Sequence, residues 1–115
     1  MKWVRRSAEG PAGIRAADAD WNHLEDFART RSGVEAFVEP PTVMTQATVV
    51  LVALNGEWTR RRIASPKAAR QLGVKLGIPV YNVAATGYPP RMREWTARRK
   101  AAGDTGVPGL PGPSV

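Results

Sequence analysis

The sequence predicts an α+β fold, ordered α-β-β-β-α-β, with an antiparallel sheet and its helices on one face. Three observations carry this expectation. Two extended runs meet at Asn55-Gly56 within Ala47 to Ala64, ATVVLVALNGEWTRRRIA, which reads as a hairpin because Gly, and Asn to a lesser degree, tolerate the positive φ of a tight turn. Ser65-Pro66 and Gly77 bracket an apolar stripe of helical period. A second such stripe, Trp21, Leu24, Phe27 and Ala28, precedes Gly33.

In chain order, residues 1–17 mix Arg, Gly, Pro and Ala without a period and read as a flexible arm. Helix one begins at Asp18 or Asp20, either of which suits the cap, and runs to about Arg31 or Ser32. Glu25 and Arg29 stand at i, i+4, and His23 falls roughly opposite Trp21, toward solvent. Val34 to Glu39 suits an edge strand before the hairpin, bounded by Gly33 and Pro40-Pro41, with a loop from Pro40 to Gln46.

A two-residue hairpin loop pairs Val52 with Thr59 and Val50 with Arg61, and places Trp58, Arg60 and Arg62 on the face of Ala53, Leu51 and Val49. The first hairpin strand is apolar on both faces, the pattern of an interior strand. Helix two runs from the Ser65 cap, with Ala68, Ala69, Leu72 and Leu76 inward and Gly73 as a close-packing point. Val80 to Ala84 is the last strand. These elements make residues 18–86 a single domain. Residues 87–102 form a basic aromatic segment, either clamped to the sheet by Met92 and Trp95 or ordered only by a partner. Residues 103–115, rich in Gly and Pro, read as a disordered tail.

Charge is uneven. The net +7 divides into six basic and eight acidic side chains over residues 1–57, against eleven basic and two acidic over residues 58–115. Arg outnumbers Lys thirteen to four, and Arg suits bidentate phosphate contacts and base stacking, although a GC-rich genome produces the same bias. The longest apolar stretch, Val49 to Leu54, is far below the ~20 residues of a membrane helix, and the N-terminus has no apolar leader core. A soluble cytoplasmic protein without a membrane partner is expected.

No catalytic constellation emerges. Without cysteine there is no disulfide, thiolate nucleophile or sulfur-ligated metal, and one histidine cannot complete a Cys/His site. Glu25 and Asp26 diverge on their helix, and no glycine pattern that cradles phosphate follows a strand. The expectation is a non-enzymatic protein with no cofactor and no metal.

Two basic clusters remain. Arg60-Arg61-Arg62 lies just ahead of Lys67 and Arg70 at the opening of helix two, where free amides add positive potential. Tyr88 to Trp95, with Arg98, Arg99 and Lys100, sets aromatics among basic side chains, including Arg91 and Arg93, a pattern that suits single-stranded nucleic acid. Arg60, Arg62, Lys67, Arg70, Arg91 and Arg93 are therefore the candidate phosphate contacts, with Trp58 or Tyr88 for stacking, and RNA or DNA the expected partner. Six contacts would lower affinity about 10³-fold between 50 and 200 mM salt. Alternatively the arginines are solvated, lie over Trp58, or pair with the protein's own acids, and the partner is an acidic protein docked on a sheet edge or open face.

The order helix one (HLEDFARTRSG), strand (VEAFVE), hairpin and helix two (SPKAAR) resembles the α-β-β-β-α layout of double-stranded RNA-binding domains over about residues 20–77. That resemblance implies that Lys67 and Arg70 contact phosphates across the major groove while helix one reaches a minor groove. The chain differs from such domains in lacking the Gly-Pro-x-His pattern in the loop after the first strand, in an acidic helix one and in a strand after helix two. It also looks like short proteins of high-GC Gram-positive bacteria, a likeness that implies no function.

Overall fold

The computed structural model describes residues 16–103, so most of the expected arm and nearly all of the tail lie outside the described residues. The fold is α+β. Its elements are α1 (Ala16–Thr30), β1 (Glu35–Glu39), β2 (Thr48–Val52), β3 (Trp58–Arg62), α2 (Pro66–Leu76), β4 (Val80–Asn82), the one-turn α3 (Val83–Thr86) and α4 (Pro90–Ala101). The strands form one sheet in the order β3-β2-β1-β4.

The sheet is mixed, which corrects the antiparallel expectation. β1–β2 and β2–β3 are antiparallel, but β4 pairs parallel with β1, Phe37 opposite Tyr81. The chain reaches β4 through α2, a crossover that brings a strand back in the same direction. β1 is therefore interior rather than the expected edge, and β3 and β4 are the edges. β4 also ends earlier than expected, because the Asn82 side chain accepts the Ala84 N–H at 2.8 Å and turns the chain into α3.

β2 is central, as its two-sided apolarity predicts. Val49, Val50, Leu51 and Val52 are all fully buried, each contributing about 1.5–3 kcal/mol of burial. Below the sheet, α1 and α2 supply Leu24, Phe27, Ala69 and Leu72 to a cluster with Ala36, Val38, Val49, Leu51 and Ile63. Above it, Met92 and Trp95 of α4 pack on Phe37, Val50, Val52 and Trp58. Helices thus cover both faces, not one. The sheet itself is the partner that orders the basic C-terminal segment, because interior strands apolar on both sides need a second covering layer.

The hairpin is present, but its register is shifted by one residue. The Gly56 N–H donates to the Ala53 carbonyl at 2.9 Å and the Ala53 N–H to the Glu57 carbonyl at 2.8 Å. Leu54, Asn55 and Gly56 thus form a three-residue loop, with only Gly56 required at positive φ (96°). Val52 faces Trp58 and Val50 faces Arg60. Because strand faces alternate, the slip carries Trp58 into the α4-side cluster and Thr59 to the α1 side.

Helix ends follow local rules. Ser65 Oγ accepts the Ala68 N–H at 3.0 Å, Pro66 takes the first helical position, and Gly77 closes α2 in the left-handed region. Gly73 is a close-packing point: a Cβ there would stand 2.2 Å from Val80 Cγ2. α1 begins at Ala16, so Asp18 falls in its first turn, and Asp20 is an ion-pair partner instead of a cap.

Candidate nucleic-acid interface and the groove along the last helix

The sheet separates the candidate residues into two groups. Lys67 and Arg70 stand on the outer face of α2, while Trp58, Arg60, Tyr88, Arg91 and Arg93 belong to the α4 side. The eight expected contacts therefore do not form one surface.

On the α4 side most cations are already engaged. Arg60 makes a bidentate pair with Glu39, at 2.9 and 3.0 Å, and its guanidinium lies 5.5 Å from the centre of the Trp58 ring. Glu39 also accepts hydrogen bonds from Thr48 and from Tyr88. Burial of Glu39 works against its ionisation, but the bonds from Arg60, Thr48 and Tyr88 outweigh it and hold the carboxyl below its usual range. Tyr88 moves the other way: burial first, and then the adjacent Glu39 carboxylate, raise its phenol above the ordinary value.

Arg91 is a docking residue for α4, not a free phosphate contact. It donates to the Ala53 carbonyl at 2.9 Å and to Glu35 at 2.7 Å. Arg98 reaches the Asn55 carbonyl at 2.9 Å, and Arg99 lies over Trp95 at 4.7 Å. Trp58 is 6% exposed and donates its indole N–H to Thr96, so it has no face for a base. Tyr88, 39% exposed, keeps one.

The rest of the arginine triplet turns toward α1. Arg61 and Arg62 share Asp20, at 3.5 and 3.8 Å. With Arg60 on Glu39, all three guanidinium groups meet the protein's own carboxylates, the outcome in which the triplet ceases to be the centre of a polyanion site. Only Arg62, with 60% of its side chain exposed at the end of β3 and its contact long, keeps donors toward solvent.

Two residues in the same region depart from expectation. His23 does not point to solvent: it hydrogen-bonds Thr59 at 2.7 Å, and Thr59 is fully buried. Burial, and then the neighbouring Arg61, lower the His23 pKa from its ordinary value. Glu25 pairs across to Lys75 of α2 at 2.5 Å and accepts the Trp21 indole N–H, in place of the expected Arg29. Both contacts follow from the hairpin register and helix pairing, which the α1 sequence alone does not contain.

Lys67 and Arg70 are exposed and, among the described residues, have no acidic partner. With Gln71 and Val74 they line a shallow concavity of about 400 Å³ on α2. Arg62 closes β3 three residues before the Ser65 cap, so it and the N-terminal end of α2 bring positive potential to the same stretch of chain.

A second concavity runs along α4. It has a volume of about 380 Å³ and is lined by Trp58, Tyr88, Met92, Thr96 and Ala97, with Arg93 and Lys100 on its rim. Arg93 and Lys100 are exposed and have no acidic partner among the described residues. The basic aromatic cluster legible in the sequence already holds Tyr88, Arg93 and Lys100, although Lys100 is not among its expected phosphate contacts, and Ala97 carries no signal there. The i, i+7 spacing of Arg93 and Lys100 was the available signal, because it puts both on one flank of a helix.

No group of three or more His, Cys, Asp or Glu side chains suited to a metal occurs among the described residues, and no helix there is long and apolar enough to cross a membrane. Searches against protein-family models, curated proteins and solved structures find no match to this chain.

Proposed function

We propose that this protein is a small non-enzymatic cytoplasmic module that binds nucleic acid, RNA in preference to DNA, through phosphate contacts on the outer face of α2. The observation that carries the reading is the state of Lys67 and Arg70. They are exposed, one helical turn apart and without an acidic partner among the described residues, whereas Arg60 and Arg91 are engaged internally. Arg62, at the end of β3 three residues before the Ser65 cap, and the N-terminal partial charge of α2 add positive potential where that helix begins. The preference for RNA rests on the α1-β1-β2-β3-α2 order shared with double-stranded RNA-binding domains.

Three contacts replace the six expected from sequence, and the salt dependence shrinks with them. At about 0.9 released counterions per phosphate contact, Arg62, Lys67 and Arg70 give a slope near −2.7, or about fortyfold weaker binding at 200 than at 50 mM salt. Fluorescence anisotropy with a labelled RNA duplex measures this directly. The double variant Lys67→Glu, Arg70→Glu is expected to abolish binding without changing the thermal melt, since both side chains are exposed. Binding that is absent, independent of salt, or unchanged in that variant refutes the assignment.

A further inference from the structure

We propose that the groove along α4 is the docking site for an acidic amphipathic helix of a partner protein. It lies on the opposite side of the sheet from Lys67 and Arg70, and so is independent of the nucleic-acid reading.

The floor is apolar, and its polar atoms already have partners. The Trp58 indole N–H is bonded to Thr96, the Thr96 hydroxyl donates to the Met92 carbonyl, and the Tyr88 hydroxyl donates to Glu39. A ligand on Met92, Ala97 and the Tyr88 ring therefore gains from apolar contact and finds few free donors for its own polar groups. The rim supplies the opposite chemistry. Arg93 and Lys100, without an acidic partner among the described residues, put positive charge on one flank of α4, about 10.5 Å apart along the axis at 1.5 Å per residue.

That spacing selects among occupants. A small amphiphilic anion with one carboxylate could meet only one of the two cations. Single-stranded nucleic acid needs a succession of stacking faces, and here Trp58 and Trp95 are buried and only Tyr88 offers a ring. A helix lying along α4 repeats every 10.5 Å over seven residues. It can therefore set two carboxylates seven apart against Arg93 and Lys100, while its i, i+3, i+7 apolar stripe fills the groove. Charge complementarity and a volume of about 380 Å³, larger than one side chain, both suit such a segment.

The test uses the full chain and a fluorescein-labelled peptide of about 16 residues, long enough to hold a helix. The peptide carries leucines at i, i+3 and i+7, with glutamates seven apart on one flank, and is compared with a scramble of the same composition. Saturable binding is expected for the patterned peptide and at least tenfold weaker binding for the scramble. Ala97→Glu, which puts a carboxylate on an exposed groove position, and the double variant Arg93→Glu, Lys100→Glu are each expected to weaken binding at least tenfold with the melt unchanged. Lys67→Glu, Arg70→Glu should leave peptide affinity as it was, so that failure of the nucleic-acid reading and failure of this one are distinguishable. Equal binding of the scramble, or peptide binding insensitive to Ala97→Glu, overturns the proposal. So does an Ala97→Glu defect confined to single-stranded RNA binding, or one confined to self-association of the protein.

Discussion

Gly56 is where the hairpin and α4 meet, and replacing it with alanine tests both at once. Two effects add in Gly56→Ala. The φ of 96° is a conformation L side chains rarely adopt, at a cost of about 1–2 kcal/mol. The new Cβ would also stand 2.1 Å from the Arg91 carbonyl oxygen and 2.8 Å from Trp95 Cβ, so α4 must shift, adding about 1–3 kcal/mol of overpacking. Gly77→Ala isolates the first effect, because Gly77 has a φ of 69° with nothing within 4 Å of its would-be Cβ. At roughly 4 °C per kcal/mol for a domain of this size, Gly77→Ala should lower Tm by about 4–8 °C and Gly56→Ala by about 8–20 °C. Far-UV circular dichroism and tryptophan fluorescence report the two melts, and Trp58 and Trp95 should become more exposed in Gly56→Ala alone. If Gly56→Ala costs no more than Gly77→Ala, the close approach of α4 to the turn is refuted.

Stability should fall on the acid side through His23. Its folded pKa lies below the unfolded value of about 6.5, so the unfolded chain binds more protons and the contribution of neutral His23, complete above that pH, is lost as pH drops through it. Urea melts between pH 7.5 and 5.5 should show this loss, and His23→Gln, which keeps a partner for Thr59, should flatten the profile in that window; an unchanged profile counts against the buried contact. Ser65→Ala removes the side-chain acceptor for the Ala68 N–H and should cost about 1 kcal/mol, or about 4 °C in Tm. A melt identical to the parent would show that this cap contributes nothing.

The arginines show how far sequence alone could reach toward the site. That Lys67 and Arg70 face outward was legible, because the α2 stripe and the Ser65 cap assign every residue of that helix a face. The fate of Arg60 and Arg91 was not. Their partners, Glu39 and Glu35, are 21 and 56 residues away in the chain and come within hydrogen-bond distance only after β1 has entered the sheet and α4 has folded over it. The hairpin was visible in Asn55-Gly56, yet its register depended on which of two loop lengths the flanking strands preferred. One residue of difference decided whether Trp58 lies above or below the sheet.

By itself, then, the sequence determined what local stereochemistry controls: where α2 starts and stops, where the chain reverses, and that β2 is an interior strand. Those properties depend on φ, caps and periodicity within a few residues. Tertiary structure decided the parallel seat of β4 beside β1, the placement of α4 on the second face and the separation of the free cations into two sites. Strand partners, helix layers and ion pairs are chosen by through-space contacts between segments far apart in the chain, and one strand of residues is compatible with several of them until the whole sheet is assembled.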